Sequence, residues 1–156
     1  MKVKKLLALV LSAVMAMTML AACGGGGGGG GTEKKFVDLD KVNKRVSSSV
    51  SDVTVEEWAD LEKGMAAVEN MVTQTNRADI TLSMVQSTLS RYVNFEGHTP
   101  RTLVTSGNFS GDINSEIADY VIENAERSAE RAFYASAIQA RTKDGYSYVV
   151  YVIVAK

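Results

Sequence analysis

The chain has 156 residues and a formal net charge of -1, with one cysteine, one histidine, one tryptophan and one proline. This length is enough for one domain and hardly more. A single cysteine excludes an intramolecular disulfide and a thiolate-rich zinc cluster, so an ordinary apolar core must stabilise the fold, and no cofactor is expected. Because basic residues are not in surplus, nucleic acid is not an expected partner.

The first 22 residues have the layout of a secretory signal. Residues 1–5 contain three lysines and no acid, and residues 6–20 are almost wholly apolar. The next stretch, Leu20-Ala21-Ala22-Cys23, resembles the lipobox of bacterial lipoproteins, in which an aliphatic residue and two small residues precede a cysteine. The resemblance implies that residues 1–22 are a signal peptide that is removed, and that the Cys23 thiol carries a diacylglyceryl group.

A lipid on Cys23 would place the protein on the extracytoplasmic face of the cell membrane, which is therefore the first expected partner. Two or more acyl chains anchor a protein stably, at about 0.8 kcal/mol per buried methylene. An uncleaved membrane anchor is one alternative, but such an anchor needs roughly 20 apolar residues and this run is shorter. An ordinary signal peptide that happens to end near a cysteine is the other alternative.

The segment behind Cys23 begins with eight consecutive glycines, residues 24–31. Glycine has no side chain to bury and loses the most backbone entropy on ordering, so a flexible tether is expected. A phosphate-binding loop would need a preceding strand and a following Lys-Ser/Thr pair, which are missing. We assign residues 23–53 to the tether, with a reach on the order of 30 Å. Residues 32–53 also carry a faint helical stripe, which leaves a short helix on the domain as the alternative.

The folded part is expected to begin with a helix. Thr54-Val55-Glu56-Glu57 has the Ser/Thr-x-x-Glu form of a capping box. Apolar residues follow at helical spacing despite Gly64, which predicts one buried face: Trp58, Leu61, Met65, Val68 and Val72. Residues 80–93 fit both a helical stripe and a strand alternation, and their serines and threonines weaken the helix.

A loop over residues 95–100, a short strand over 101–105 and a turn over 106–111 are predicted next. Asp112 or Ser110 is the expected cap of a third helix. The stripe of that helix runs to residue 133: Ile113, Ile117, Val121, Ala125, Ala129 and Phe133.

The end of the chain has the strongest strand pattern. Residues 136–141 and 146–154 flank Asp144-Gly145, a dipeptide that favours a two-residue type I′ turn. Such a turn places Ile138 opposite Tyr151, on one face of the sheet. Because the last strand is apolar on both faces, we expect a sheet that is covered on both sides.

These elements predict a single α+β domain over residues 54–156. Its helices are expected to pack on a small antiparallel sheet that ends in the C-terminal hairpin, in an α/β/α layering.

The second half of this domain resembles a known family. His98-Thr99-Pro100-Arg101, Gly107-Asn108-Phe109, a helix over residues 116–131 and the final hairpin follow the order of bacterial domains of the cysteine-rich secretory protein (CAP/SCP) superfamily. The resemblance covers residues 98–154, rests on order and hydropathy, and implies an α/β/α sandwich. Only His98 matches a cleft histidine of the family, because Ala129-Glu130 precedes Arg131 where the family has a histidine beside the arginine.

His98 is the only imidazole of the chain and lies near Glu96 in a glycine-containing loop. As a general base it would need a nucleophile, for which Ser106 or Ser110 is available in the same region. A lone loop histidine is more often simply solvated, and no repeated spacing supports a metal site. We therefore assign no catalytic or metal-binding residue.

Aromatic faces bind the apolar surfaces of sugars, and tyrosine hydroxyls add polar contacts. Most tyrosines of this chain lie at positions that also suit a core. His98 and the two tyrosines next to the hairpin turn, Tyr146 and Tyr148, are the candidate binding residues.

The expected function is that of a bacterial cell-surface lipoprotein with a small, non-catalytic binding or envelope-associated domain. Its ligand would be a cell-wall polymer or an extracellular protein. The alternative is a wall-associated hydrolase that uses His98 and a loop serine, and a third possibility is an assembly partner of a membrane complex.

Overall fold

The structure is a computed structural model that describes residues 36–107 and 109–156. The predicted signal peptide, Cys23 and the glycine run lie outside the described residues. Among the helices of the described part, none combines the length and the apolar character that a membrane span requires.

The described chain contains four helices, one 3₁₀ turn and four strands. They are α1 (Leu39–Ser49), β1 (Thr54–Glu56), α2 (Ala59–Gln74), a 3₁₀ turn (Arg77–Asp79), α3 (Leu82–Leu89), β2 (Thr99–Ser106), α4 (Ile113–Arg127), β3 (Ala132–Arg141) and β4 (Ser147–Ala155). The strands form one sheet in the order β1-β3-β4-β2. β4 pairs antiparallel with both β2 and β3, whereas β1 pairs parallel with β3. The predicted α+β class is confirmed, but the sheet is mixed rather than purely antiparallel.

Helices cover both faces of this sheet, so the α/β/α layering is also confirmed. On one face Val149, Tyr151 and Ile153 of β4 pack with α1 and α4. On the other face Val150, Val152 and Val154 pack with α2 and α3. The continuous apolar run of β4 thus supplies a core to each side, as expected for a central strand without a solvent-exposed face.

The predicted capping box is wrong, because Thr54–Glu56 is the strand β1. The Thr54 amide donates to the Arg131 carbonyl at 2.9 Å, and Val55 pairs with Phe133 of β3. Helix α2 begins only at Ala59, after Trp58 in an extended conformation. Its predicted apolar stripe is confirmed, since four of the five stripe residues are buried: Leu61, Met65, Val68 and Val72.

Residues 39–49 form a helix rather than a tether, so the predicted domain boundary at residue 54 lies too late in the chain. Val42 and Val46 of α1 are fully buried. Asn43 bonds the backbone of β1 with both ends of its amide: Nδ2 donates to the Val55 carbonyl and Oδ1 accepts from the Val55 amide, each at 2.8 Å. Helix α1 belongs to the same compact unit as the rest of the described chain.

The ambiguous segment over residues 80–93 contains helix α3, with Val85 and Leu89 buried. The third predicted helix, α4, begins as expected after Asp112, whose carboxylate accepts from the Asn114 amide at 3.2 Å. A hydrogen bond from the Ser115 hydroxyl is the main cause that lowers the pKa of Asp112. The helix ends at Arg127, six residues earlier than predicted, because the chain turns extended at Ser128 and Phe133 belongs to β3.

The hairpin between β3 and β4 differs from the prediction by one residue. Ile138 lies opposite Val150 and faces α2, instead of lying opposite Tyr151 on the other face. The Thr142 amide donates to the Tyr146 carbonyl at 2.9 Å, which leaves a three-residue loop with Gly145 at φ 87°. A glycine at positive φ is typical of such loops. A slip of one residue moves side chains to the opposite face, which explains why both Ile138 and Ala140 face α2.

Candidate functional site

The two candidate tyrosines next to the hairpin turn lie in different environments. Tyr148 is 6% exposed and packs in the core on the α2 side, so its proposed role in ligand binding is wrong. Tyr146 is 53% exposed, and the Arg77 guanidinium lies 5.4 Å from the centre of its ring. The two tyrosines therefore do not form a shared binding patch.

The candidate His98 belongs to an aromatic cluster at the opposite end of the sheet. Its ring centre lies 4.6 Å from that of Trp58 and 5.6 Å from that of Tyr134. Trp58 also contacts Tyr134 at 5.1 Å and Phe95 at 5.9 Å. These separations are typical of packed aromatic pairs. The cluster ties the loop before β2 to the start of α2.

Within the described residues, His98 Nδ1 is buried and has no hydrogen-bond partner. An imidazole held in this way between aromatic rings has a packing role.

Lys156 closes the same cluster on its outer side. Its ammonium lies 4.5 Å from the centre of the Tyr134 ring and 2.5 Å from Glu56 Oε2. The hydrogen bond to Glu56 is the main cause that raises the pKa of Lys156. The outer face of Tyr134 is therefore already taken by a cation of the chain itself.

The structure separates His98 from the serines that were considered as its nucleophile. Ser106 ends β2, whereas His98 precedes its first residue, Thr99. An extended strand rises about 3.3 Å per residue, so about 26 Å lies between the Cα atoms of His98 and Ser106. Ser110 lies further along the chain, at the beginning of α4, in a hollow shared with Asp112 and Gln139. The structure therefore does not bring His98 together with either serine of the alternative hydrolase site.

An open, partly polar groove lies between α2 and the end of α3. It has a volume of about 490 Å³, within the range typical of ligand sites. One wall is a stripe of α2 at helical spacing: Lys63, Ala66, Ala67, Asn70, Met71 and Gln74. The other wall comes from the end of α3 and the residues behind it: Thr88, Arg91 and Tyr92. We call this site the α2–α3 groove.

The α2–α3 groove is lined by one exposed aromatic ring, two amides and two small alanines. Tyr92 is 54% exposed, so a large aromatic face is offered to solvent at one wall. The amide side chains of Asn70 and Gln74 line the other wall and are exposed to solvent. Ala66 and Ala67, between Lys63 and Asn70 on the same wall, leave room for a ligand to approach the helix. No described group of three or more metal-binding side chains lies in the groove or elsewhere.

Gly64 sets the close approach of α2 to the residues behind α3. A Cβ atom at this position would lie 2.7 Å from Val93 Cγ2, 3.2 Å from Leu89 Cδ2 and 3.8 Å from Tyr92 Cβ. The absent side chain lets the two walls meet at this end, and it positions Tyr92 beside α2.

Comparisons with known protein families, with curated proteins and with solved structures find no match for this chain. The sequence did not reveal the groove, because Tyr92 lies on the helical stripe that predicts a core position. One signal was present: beside the charged Glu62, Lys63 and Glu69, the α2 positions between the core residues also hold small alanines and amides, Ala66, Ala67, Asn70 and Gln74.

Proposed function

We propose that this protein is a bacterial cell-surface lipoprotein, anchored by lipid at Cys23, whose domain binds an envelope glycan in the α2–α3 groove without catalysing a reaction. The exposed face of Tyr92 opposite the two exposed amides of Asn70 and Gln74 carries this proposal. Pyranose rings present apolar faces that stack on aromatic rings, and their hydroxyls match the donors and acceptors of amide groups.

A non-catalytic role is supported by the position of the only imidazole. His98 is held by Trp58 and Tyr134 at the far end of β2 from Ser106. The α2–α3 groove itself contains no carboxylate, imidazole or thiol among its lining residues. Its side chains are suited to holding a ligand and offer no general base.

Binding can be tested by sedimentation with purified cell-wall sacculi, using the chain over residues 24–156. We expect the wild-type domain to sediment with the sacculi and Tyr92→Ala to bind about five- to tenfold more weakly, since one aromatic stacking contact contributes about 1 kcal/mol. Tyr146→Ala is the matched control, because Tyr146 is equally exposed but lies at the hairpin.

Equal loss of binding in the Tyr92→Ala and Tyr146→Ala variants would indicate nonspecific adsorption and would contradict binding in the α2–α3 groove. Absence of sedimentation for the wild-type domain would contradict glycan binding itself. In that case, crosslinking in intact cells tests the remaining role, a protein partner in a membrane complex.

The anchor has its own test. Cys23→Ala is expected to abolish incorporation of radiolabelled palmitate and to move the full-length protein from the membrane fraction to the soluble fraction, because the lipid would have lost its acceptor thiol. Cys23→Ser keeps the size and polarity of the side chain and serves as a second variant. Continued labelling of either variant would show that Cys23 is not the lipid attachment site.

A further inference from the structure

The charge of the α2–α3 groove differs in sign from that of the domain around it. Residues 36–156 contain 12 lysines and arginines against 17 aspartates and glutamates, a formal charge of -5. The residues that line the groove include Lys63 and Arg91 and no aspartate or glutamate. A cationic groove on an anionic domain favours a ligand of negative charge, and it also repels that ligand from the rest of the surface.

Of these two cations, Arg91 is the more available to a ligand. Its side chain forms no ion pair and no hydrogen bond with the described residues, and it borders the groove next to Tyr92. Lys63 lies on the α2 wall and bonds Asp60 at 3.0 Å in an exposed i,i+3 pair. Exposed pairs of this kind contribute little to stability, so Lys63 can leave Asp60 for a ligand at small cost.

The two cations lie on opposite walls of the groove, with the Asn70 and Gln74 amides on the Lys63 side and the Tyr92 ring on the Arg91 side. A sugar ring lying on Tyr92 would bring an acidic substituent within reach of the neighbouring guanidinium. The planar guanidinium binds a carboxylate or a phosphate with two parallel hydrogen bonds, which adds direction to the attraction.

We propose that the ligand of the α2–α3 groove is an acidic glycan, one that carries a carboxylate or phosphate on its sugars, and that Arg91 is the residue that selects it. This inference rests on the proposed glycan-binding function and narrows the ligand to acidic glycans. Neutral glycans would share the stacking and amide contacts but would leave Arg91 without its partner.

The test compares two soluble probes with the same sugar backbone: oligogalacturonate, with one carboxylate per sugar, and its fully methyl-esterified form, in which a methyl group neutralises each carboxylate. Calorimetry with the chain over residues 24–156 is expected to give at least about tenfold tighter binding of the acid, as expected for one charge-assisted hydrogen-bonded contact. Raising NaCl from 20 to about 500 mM should remove most of this preference, because exposed charges are screened.

Two charge reversals locate the effect. Arg91→Glu is expected to abolish the preference for the acid, whereas Arg91→Lys should keep part of it. Arg141→Glu changes the net charge by the same amount, but Arg141 is exposed at the end of β3 and follows Ala140, which faces α2, so it points to the other face of the sheet. This control is expected to keep the full preference.

Equal binding of the two probes, tighter binding of the ester, or no binding of either would overturn the acidic-glycan inference. A preference that survives Arg91→Glu, or that Arg141→Glu removes equally, would overturn the role of Arg91. The sacculus experiment with Tyr92→Ala reports separately on the proposed function, so domains that sediment through Tyr92 but ignore ligand charge would retain that function and lose only this inference.

Discussion

A fragment that begins at residue 54 is expected not to fold, whereas the chain over residues 36–156 is expected to unfold cooperatively. Removal of α1 uncovers the core on the α4 side, where Val42 and Val46 are fully buried. It also leaves the Val55 amide and carbonyl without their Asn43 partners. The two valines alone contribute about 3 to 6 kcal/mol, which is comparable to the total stability of a small domain, about 5 to 15 kcal/mol.

Urea unfolding followed by circular dichroism measures this difference. Two point variants in the intact chain provide the matched comparison. Val46→Asp introduces a charge at a fully buried position of α1 and should cost at least about 4 kcal/mol, whereas Lys44→Asp lies on the exposed side of the same helix and should stay within about 0.5 kcal/mol. A sharp transition of the fragment over residues 54–156 at the midpoint of the longer chain would show that α1 is dispensable.

Gly64→Val is expected to destabilise the domain by about 3 kcal/mol, although glycine is ordinarily the weaker residue inside a helix. The reason is steric, because even a Cβ at this position would approach Val93 Cγ2 to 2.7 Å and Leu89 Cδ2 to 3.2 Å. Both neighbours are buried and cannot move into solvent. Overpacking must therefore push α2 away from the residues behind α3, and it should displace Tyr92 from its position beside the helix.

The control for Gly64→Val is Ala66→Val in the exposed part of α2, for which only helix propensity, about 0.5 kcal/mol, is expected to be lost. The Val93→Ala background tests the mechanism, since shortening Val93 should reduce the cost of Gly64→Val. Thermal or urea unfolding of the wild type, Gly64→Val, Val93→Ala and the double variant completes a double-mutant cycle. Equal costs at Gly64 and Ala66, without coupling to Val93, would contradict the close approach.

Local sequence patterns correctly predict the features of the fold that are determined within a single helix or strand. The stripe of α2 and the cap of α4 at Asp112 follow from spacing and side-chain chemistry alone. The strand β1 was missed because three residues become a strand only through pairing with β3, which lies more than 70 residues further along the chain. The residues Thr54 to Glu57 match the sequence pattern of a capping box, but they do not begin a helix.

The hairpin register was missed because side-chain hydrogen bonds in the turn favour a three-residue loop over the two-residue turn that the Asp-Gly dipeptide predicts. The Thr142 hydroxyl donates to Asp144 at 2.6 Å and accepts from the Tyr146 amide at 3.0 Å, which replaces the pairing that a two-residue turn would make. Asp144 also accepts from the Arg77 amide at 2.9 Å, so a residue distant in sequence stabilises the longer loop. The α2–α3 groove also depends on a contact between segments that are distant in sequence, because Gly64 lets α2 approach Leu89, Tyr92 and Val93 closely.

The amide of Asn43 has a consequence for how this protein behaves among its own copies. A sheet can recruit a foreign strand where an outer strand leaves backbone donors and acceptors unpaired, and this is how many aggregates grow. At the β1 side of the sheet, the Asn43 side chain imitates the missing neighbour and occupies both backbone groups of Val55. Where copies of the domain meet at high local concentration, we expect α1 to hinder strand pairing between copies at this edge.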